Sequence, residues 1–322
     1  MGLIYSNIPE LEGSDTSVVL NNLADSEYSL EVLIEKRIAN LSELSEAILR
    51  DGGDADIIKS IVLSIRSESG ADSGNVIDQN RQTADAIFSK FSLIERLTLF
   101  KEIFEKINID SIELSKHFSK EEEVAVSDEA RERIAYLKNS YNDIAYMQFS
   151  SLLNSPRAAY FSSIADVCES VYSGECEYCI LPIETSGDGK LLSFYELLIK
   201  YNYKINAVYD LYGEDGYTRY ALIGRKYGLG SNSLRSKSKN RYFEFVLTDN
   251  DSVSLSDMLS AAEFCSMRLK RIDTLNVTHE KNLSGAKICP VFRVDGADLQ
   301  TFLAYLTIDC PDVAFLGHYT QI

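Results

Sequence analysis

Residues 174–189 read Gly174-Glu-Cys-Glu-Tyr-Cys-Ile-Leu-Pro-Ile-Glu-Thr-Ser-Gly-Asp-Gly189. The run from Tyr178 to Ile183 is short, apolar and bounded by turn residues, which is the pattern of a buried strand ending in a carboxylate, two hydroxyls and a glycine-punctuated turn. Upstream, Arg133 to Leu137 reads as a strand, Asn142 to Leu153 as a helix, Ala158 to Phe161 as a short strand and Ile164 to Ser173 as a helix. Downstream, a helix over Leu191 to Tyr201 precedes two strands, Lys204 to Leu211 and Tyr217 to Arg225. Strands alternating with helices predict a parallel-rich α/β sheet. The last two strands flank only Tyr212-Gly-Glu-Asp-Gly216, a hairpin-type turn, so they are expected to run antiparallel.

Beyond a Gly/Ser-rich basic linker at 228–240, the order is strand (Tyr242 to Leu247), helix (Ser254 to Met267), strand (Arg271 to Val277), strand (Lys287 to Val294), helix (Ala297 to Ile308) and strand (Val313 to Tyr319). This βαββαβ order is that of the ferredoxin-like split unit used by many small-molecule sensing modules. Ahead of the sheet, residues 1–28 read as a loosely held arm. Apolar residues from Leu30 to Ile48 repeat at helical spacing and stop at Gly52-Gly53. A second helix is predicted over Asp56 to Arg66, a loop over Ser67 to Asn75 and a long helix from Asp78 to Ile107. The expectation is an α+β multidomain chain: a helical domain at 29–119, one α/β lobe at 131–227 and a ferredoxin-like module at 241–322.

Charge narrows the function classes. With 49 acidic and 32 basic side chains the net charge is −17, which repels nucleic acid and anionic membranes. No apolar run approaches the length of a membrane span, and Met1 to Leu20 lacks the basic start and apolar core of a secretory signal, so the cytoplasm is the expected compartment. Of six cysteines only Cys176 and Cys179 have CxxC spacing, without a second pair, and Cys179 belongs to the buried strand. No metal and no cofactor are expected.

The Pro-Ile-Glu-Thr-Ser segment with its following glycines and Phe194-Tyr-Glu-Leu-Leu198 resembles the prephenate dehydratase motif, in which a strand ends in Pro-Ile-Glu-Asn-Ser. Tyr217-Thr-Arg-Tyr-Ala-Leu-Ile-Gly224 resembles the Thr-Arg-Phe motif of that family, and the last ~85 residues resemble its ACT module, from Asp251 through Asn276 and again at Val313 to Tyr319. The resemblance implies a periplasmic-binding-protein-like lobe, truncated here, because the family places a whole second lobe where this chain has only the turn at Gly213 to Gly216. The Gly-Pro-x-Gly-Thr-Phe-Ser loop of the family is Lys138-Asn-Ser-Tyr-Asn-Asp-Ile144 here. Both glycines that let backbone approach a carboxylate are gone, and Asp143 adds negative charge.

By resemblance, Glu184, Ser186, Thr218 and Arg219 are the dehydratase candidates, since the reaction needs an acid at the leaving hydroxyl and donors for two carboxylates in a dry site. Their plain structural readings are a cross-strand pair at a hairpin edge for Thr218 and Arg219, and caps of the following helix for Glu184 and Ser186. The ACT amino-acid pocket is lined in the family by Gly-Ala-Leu and Glu-Ser-Arg-Pro. Matching positions here are Val253, Ser254, Leu255 and Asp273, Thr274, Leu275, Asn276, and valine for glycine fills the space a ligand would use. The order helices, α/β, ACT is that of bifunctional relatives that begin with a chorismate mutase. Asp78-Gln-Asn-Arg81-Gln82 resembles the mutase Asp-x-x-Arg-Glu segment, with Arg37 as a first-helix cation; Arg81 on a solvated helix start is the plain alternative. Between Asp215 and Glu244 no acidic residue occurs, while seven basic ones accumulate from Arg219 to Arg241. Such a stretch reads as a solvated linker or as a contact for an anionic ligand or acidic partner. The expected role is a non-catalytic sensing or interaction scaffold linked to phenylalanine biosynthesis, dimeric through its ACT module, with a mutase or residual dehydratase as the alternative.

Overall fold

The computed structural model of the chain describes residues 25–29, 32–33, 35–43, 45–46, 91–107, 130–214, 216–225, 240–248, 254–276, 286–310 and 313–322. The helix expected at 56–66, the loop at 67–75, the start of the long helix and nearly all of the 228–240 linker lie outside these residues.

Strand β1 (Arg133–Leu137) pairs in parallel with β2 (Arg157–Phe161) on one side and β3 (Tyr178–Thr185) on the other. Helices α2 (Ser140–Ser150) and α3 (Ile164–Tyr172) make the crossovers. Each starts at a capping side chain: Asn139 accepts from Asn142 N–H, and Ser163 from Asp166 N–H. Ala145 and Phe149 of α2 pack on Ile134, Tyr136 and Ile180, whereas Val167, Cys168 and Val171 of α3 pack on Ala135, Cys179 and Leu181, so the alternating side chains of the central strands serve two cores. The two-residue β4 (Gly189–Lys190) folds back on the end of β3, and α4 (Leu192–Lys200) follows. The hairpin β5 (Lys204–Gly213) and β6 (Gly216–Gly224) is antiparallel, with β6 lying between β3 and β5.

The carboxy-terminal elements are β7 (Arg241–Thr248), α5 (Leu255–Phe264), β8 (Arg268–Asn276), β9 (Ala286–Arg293), α6 (Leu299–Asp309) and β10 (Ala314–Gln321). Their strands run antiparallel in the order β10-β7-β9-β8. Phe243, Phe245 and Phe292 meet Phe302 of α6 on one face, and Phe315 lies against Phe243.

Two features join what the sequence presents as separate units. First, β10 pairs in parallel with β5, so one sheet runs β2-β1-β3-β6-β5-β10-β7-β9-β8 through both the lobe and the carboxy-terminal module. At this seam Gly317 sits on a register shift on both of its sides, and a β-carbon there would lie 2.6 Å from Ile205 O. Only glycine lets the two backbones approach so closely. Second, α1 (Leu93–Ile107) packs on α5 and α6, burying Leu97, Leu99, Phe100, Ile103 and Phe104 in the core of the carboxy-terminal module. Arg96 of α1 pairs with Asp309 of α6 at 2.8 Å. Helical residues within 25–46 in turn lie along α1: Leu41 is buried, Ser42 Oγ donates to Glu102, and Lys106 Nζ donates to Ser45 Oγ at 2.7 Å. Among the described residues, the amino-terminal helical segments form a layer on the carboxy-terminal module. No described helix is long and apolar enough to cross a membrane.

Gly317→Ala is expected to lower stability in urea denaturation by about 2 kcal/mol or more, because the strand must shift at the seam. Phe100→Ala should cost about 3–5 kcal/mol by the same measurement, the range for truncating a buried aromatic.

Candidate functional site

The motif strand places Glu184 opposite Arg219, and Thr185 opposite Thr218, in the β3–β6 ladder. Because β6 has β3 on one side and β5 on the other, Thr218 and Arg219 lie inside the sheet, and the hairpin-edge reading is corrected. Ser186 N–H donates to Tyr217 O at 2.9 Å and Ser186 Oγ accepts from Tyr217 N–H at 3.2 Å. That close approach requires Gly216, whose backbone lies at φ +131° and whose β-carbon, if present, would collide with Ser186 Oγ. Thr185 Oγ1 accepts from Asp188 N–H and closes the next turn. The residues after the strand thus anchor turns, and α4 starts at Leu191 without a side-chain cap, so neither Glu184 nor Ser186 caps it.

Glu184 is 1% exposed, and four donors surround its carboxylate. Arg271 of β8 binds both oxygens, with Nη1 2.7 Å from Oε1; Arg219 Nη1 is 3.2 Å from Oε2; and Tyr217 Oη donates to Oε1 at 2.5 Å. Burial works to raise its pKa, but the hydrogen bonds from Arg271 and Tyr217 and the charge of Arg219 prevail and hold it down at about 2. Arg219 completes its coordination on Asp210, through Nε at 2.6 Å and Nη2 at 2.9 Å. Arg271 Nε lies 3.0 Å from Asp273 Oδ2, which is 3.5 Å from Lys190 Nζ. Lys190 ends the series on Glu244, itself 1% exposed and held also by Tyr195 Oη at 3.0 Å, Tyr319 Oη at 2.8 Å and Cys289 Sγ at 3.3 Å. Burial would raise the Glu244 carboxyl; the adjacent Lys190 ammonium lowers it. The alternating chain Asp210, Arg219, Glu184, Arg271, Asp273, Lys190, Glu244 joins strands from both halves of the molecule.

Sequence reasoning brought together Glu184, Ser186, Thr218 and Arg219, which do meet, but missed Lys190, Asp210, Glu244 and Arg271. A signal was present. Glu244 is the lone acid in the aromatic strand Tyr242 to Leu247, and Arg271 and Asp273 alternate on the same face as Leu275, which is buried. Ionic side chains on a strand face that should be apolar require partners.

The Arg37 side chain is 63% exposed and bound to Glu95 on α1; Arg81 and Gln82 lie outside the described residues. In the ACT-like pocket positions, Ser254 caps α5 by accepting from Asp257 N–H, Leu255 and Thr274 are exposed, and Asp273 faces the ion chain, while Val253 and the side chain of Asn276 lie outside the described residues. Of the basic stretch, Arg219 is sunk in the ion chain and Arg225 Nη1 donates to Tyr172 O. Cys176 and Cys179 are free and buried, and burial pushes both thiols up.

Arg271→Ala leaves Glu184 with its strongest partner gone and is expected to cost about 3–5 kcal/mol in chemical denaturation. Because the Glu184 pKa is depressed in the folded state, its stabilisation is complete above the ordinary carboxylate value of about 4.5 and is lost as pH falls toward 2. Glu184→Gln should therefore flatten the acid limb of stability measured against pH.

Residues 134–214 match the family model for prephenate dehydratase. No curated protein matches the chain. Among solved structures, prephenate dehydratase from Streptococcus mutans is 20% identical with a TM-score of 0.48, over 59% of this chain and 98% of that one. GqqA, described as a novel type of quorum quenching acylase, is 17% identical with a TM-score of 0.45, over 59% and 95%. Prephenate dehydratase from Arthrobacter aurescens in complex with L-Phe is 12% identical with a TM-score of 0.44, over 58% and 89%. From β1 to the end of β5, the chain is similar to a prephenate dehydratase domain.

Proposed function

We propose that this chain is a non-catalytic derivative of the prephenate dehydratase family, acting as a sensing or interaction scaffold linked to phenylalanine biosynthesis. The observation that carries the reading is the saturation of the motif residues. Dehydration of prephenate would ask the motif arginine to hold a substrate carboxylate, and Arg219 directs Nε, Nη1 and Nη2 at Asp210 and Glu184. Glu184 as a deprotonated acceptor with four donors has no proton to give a leaving hydroxyl near neutral pH. The connection of β5 to β6 is a tight hairpin paired to Gly213 and Gly216, which leaves the lobe without the second wall that the family inserts there.

The carboxy-terminal βαββαβ unit is taken to be an ACT-type module that retains its fold and has altered the ligand positions at Val253, Ser254, Leu255, Asp273, Thr274 and Asn276. Its β10 edge is occupied by β5, so a homodimer through the module would use the β8 edge, where Leu269 and Ile272 are exposed.

Incubation of the purified protein with prephenate is expected to yield no phenylpyruvate above the spontaneous rate. Turnover that disappears in Arg219→Gln would overturn the reading.

A further inference from the structure

Helix α2 is apolar on two sides. Its inner side packs Ala145 and Phe149 on the sheet, and a helix with one covered face is ordinarily polar on the other. Instead Tyr141, Ile144 and Met147 are 63%, 38% and 67% exposed. At three-residue spacing they stand above one another as a stripe along the helix. Apolar side chains scattered singly over a surface need no explanation, whereas a contiguous row of them marks an interaction surface.

Charge identifies the partner. From Asn139 to Pro156 the sequence holds one charged residue, Asp143, in a chain of which 25% is charged. Asp143 is engaged on the β1 side of the helix, where its Oδ1 accepts from Tyr136 Oη at 3.2 Å. The exposed polar neighbours of the stripe, Ser140, Gln148 and Ser151, are neutral. With a net charge of −17, copies of this chain repel one another over most of their surface, and α2 is where they repel least. To a nucleic acid, an anionic membrane or a charged protein the same face offers nothing to pair with.

The order of the side chains is self-complementary. Ile144 lies midway between Tyr141 and Met147. Two copies of α2 crossing antiparallel about a two-fold axis at Ile144 therefore set Ile144 on the partner's Ile144, and Tyr141 on the partner's Met147 twice over. A thioether against an aromatic ring is a favourable pair, and the antiparallel arrangement brings the positive end of each helix dipole to the negative end of the other. An isologous contact requires this property, since one patch must fit itself.

We propose that the outer face of α2 is a contact between two copies of this chain, related by a two-fold axis through Ile144. The contact goes beyond the function proposed above: it belongs to the α/β lobe and is separate from the β8 edge, so a chain that used both would assemble past the dimer. A stable interface buries about 1,200 Å² or more, and three turns of helix supply only part of that. The contact is therefore weak and exchanging on its own, and its test has to trap it.

Cysteine cross-linking of the full chain supplies the trap, because all six native cysteines are buried. Under mild oxidation Ile144→Cys is expected to form an intermolecular disulfide, since the axis brings the two positions together. Met147→Cys, more exposed at the outset, is expected to form none with itself. Its two copies stand about 9 Å apart along the helix axis, beyond the reach of a disulfide. A mixture of Tyr141→Cys and Met147→Cys chains should cross-link with each other. In sedimentation equilibrium, Ile144→Glu, a surface change that sets two carboxylates together on the axis, should lower the average mass at high protein concentration relative to the parent. Absence of a cross-link at position 144, self-linking at 147 as ready as at 144, or a mass unmoved by Ile144→Glu would overturn the proposal. A dimer formed through the β8 edge alone, or a segment of the same chain lying over α2, would give the first of these results. None of them touches the non-catalytic reading, which falls only to phenylpyruvate formation.

Discussion

The grip of Arg271 on Glu184 is the contact on which the shape of the molecule depends. In the sheet order β3 and β8 are separated by five strands, which on a flat sheet would set them roughly 29 Å apart at ~4.8 Å per step. They touch, with Arg271 Nη1 2.7 Å from Glu184 Oε1, so the sheet must coil on itself until its two halves face each other. Helix α4 fills the concavity, with Tyr195 and Leu198 in one apolar cluster with Ile183 from the lobe and Leu275, Cys289 and Tyr319 from the carboxy-terminal strands. The ion chain lies at the border of that cluster. Its members are partly or fully withdrawn from water, and each is opposed by a neighbour of the other sign. Buried ions are tolerable only when so paired, and removal of any one leaves an uncompensated charge beside apolar surface.

The same constraint bears on the motif residues. A catalytic arginine must keep donors for its substrate, and a catalytic acid must hold a proton at working pH. Closure of the sheet assigns Arg219 to Asp210 and Glu184, and gives Glu184 a second arginine from a strand that the dehydratase-like segment 134–214 does not contain. Under the proposed function, a carboxylate substrate would compete with the coil for the same groups. In this chain the coil has them.

The amino-terminal helices illustrate a related point. Their helical periodicity is clear in the sequence, yet periodicity identifies an apolar face without naming what covers it. The face of α1 that buries Leu97, Phe100 and Phe104 meets α5 and α6, elements of the other end of the chain, and Arg37 is drawn to Glu95 at the surface. The structure thus builds one unit from segments on either side of the α/β lobe.

What the sequence determined by itself was local. The alternation of strand and helix from Arg133 onward, the antiparallel hairpin at Gly213 to Gly216 and the carboxy-terminal strand and helix order all follow from short-range patterns, turn residues and caps, which act over a few residues of chain. Even the pairing of Glu184 with Arg219 was within reach, because both stand at motif positions. Tertiary structure alone decided that β10 would zip onto β5, that the sheet would coil far enough to bring Arg271 to Glu184 and Lys190 to Glu244, and that α1 would cover a distant module. These contacts join residues from 54 to more than 100 positions apart. A strand edge or a charged side chain carries no local mark of its partner; the match is selected only when burial makes an unpaired backbone group or an isolated ion too costly.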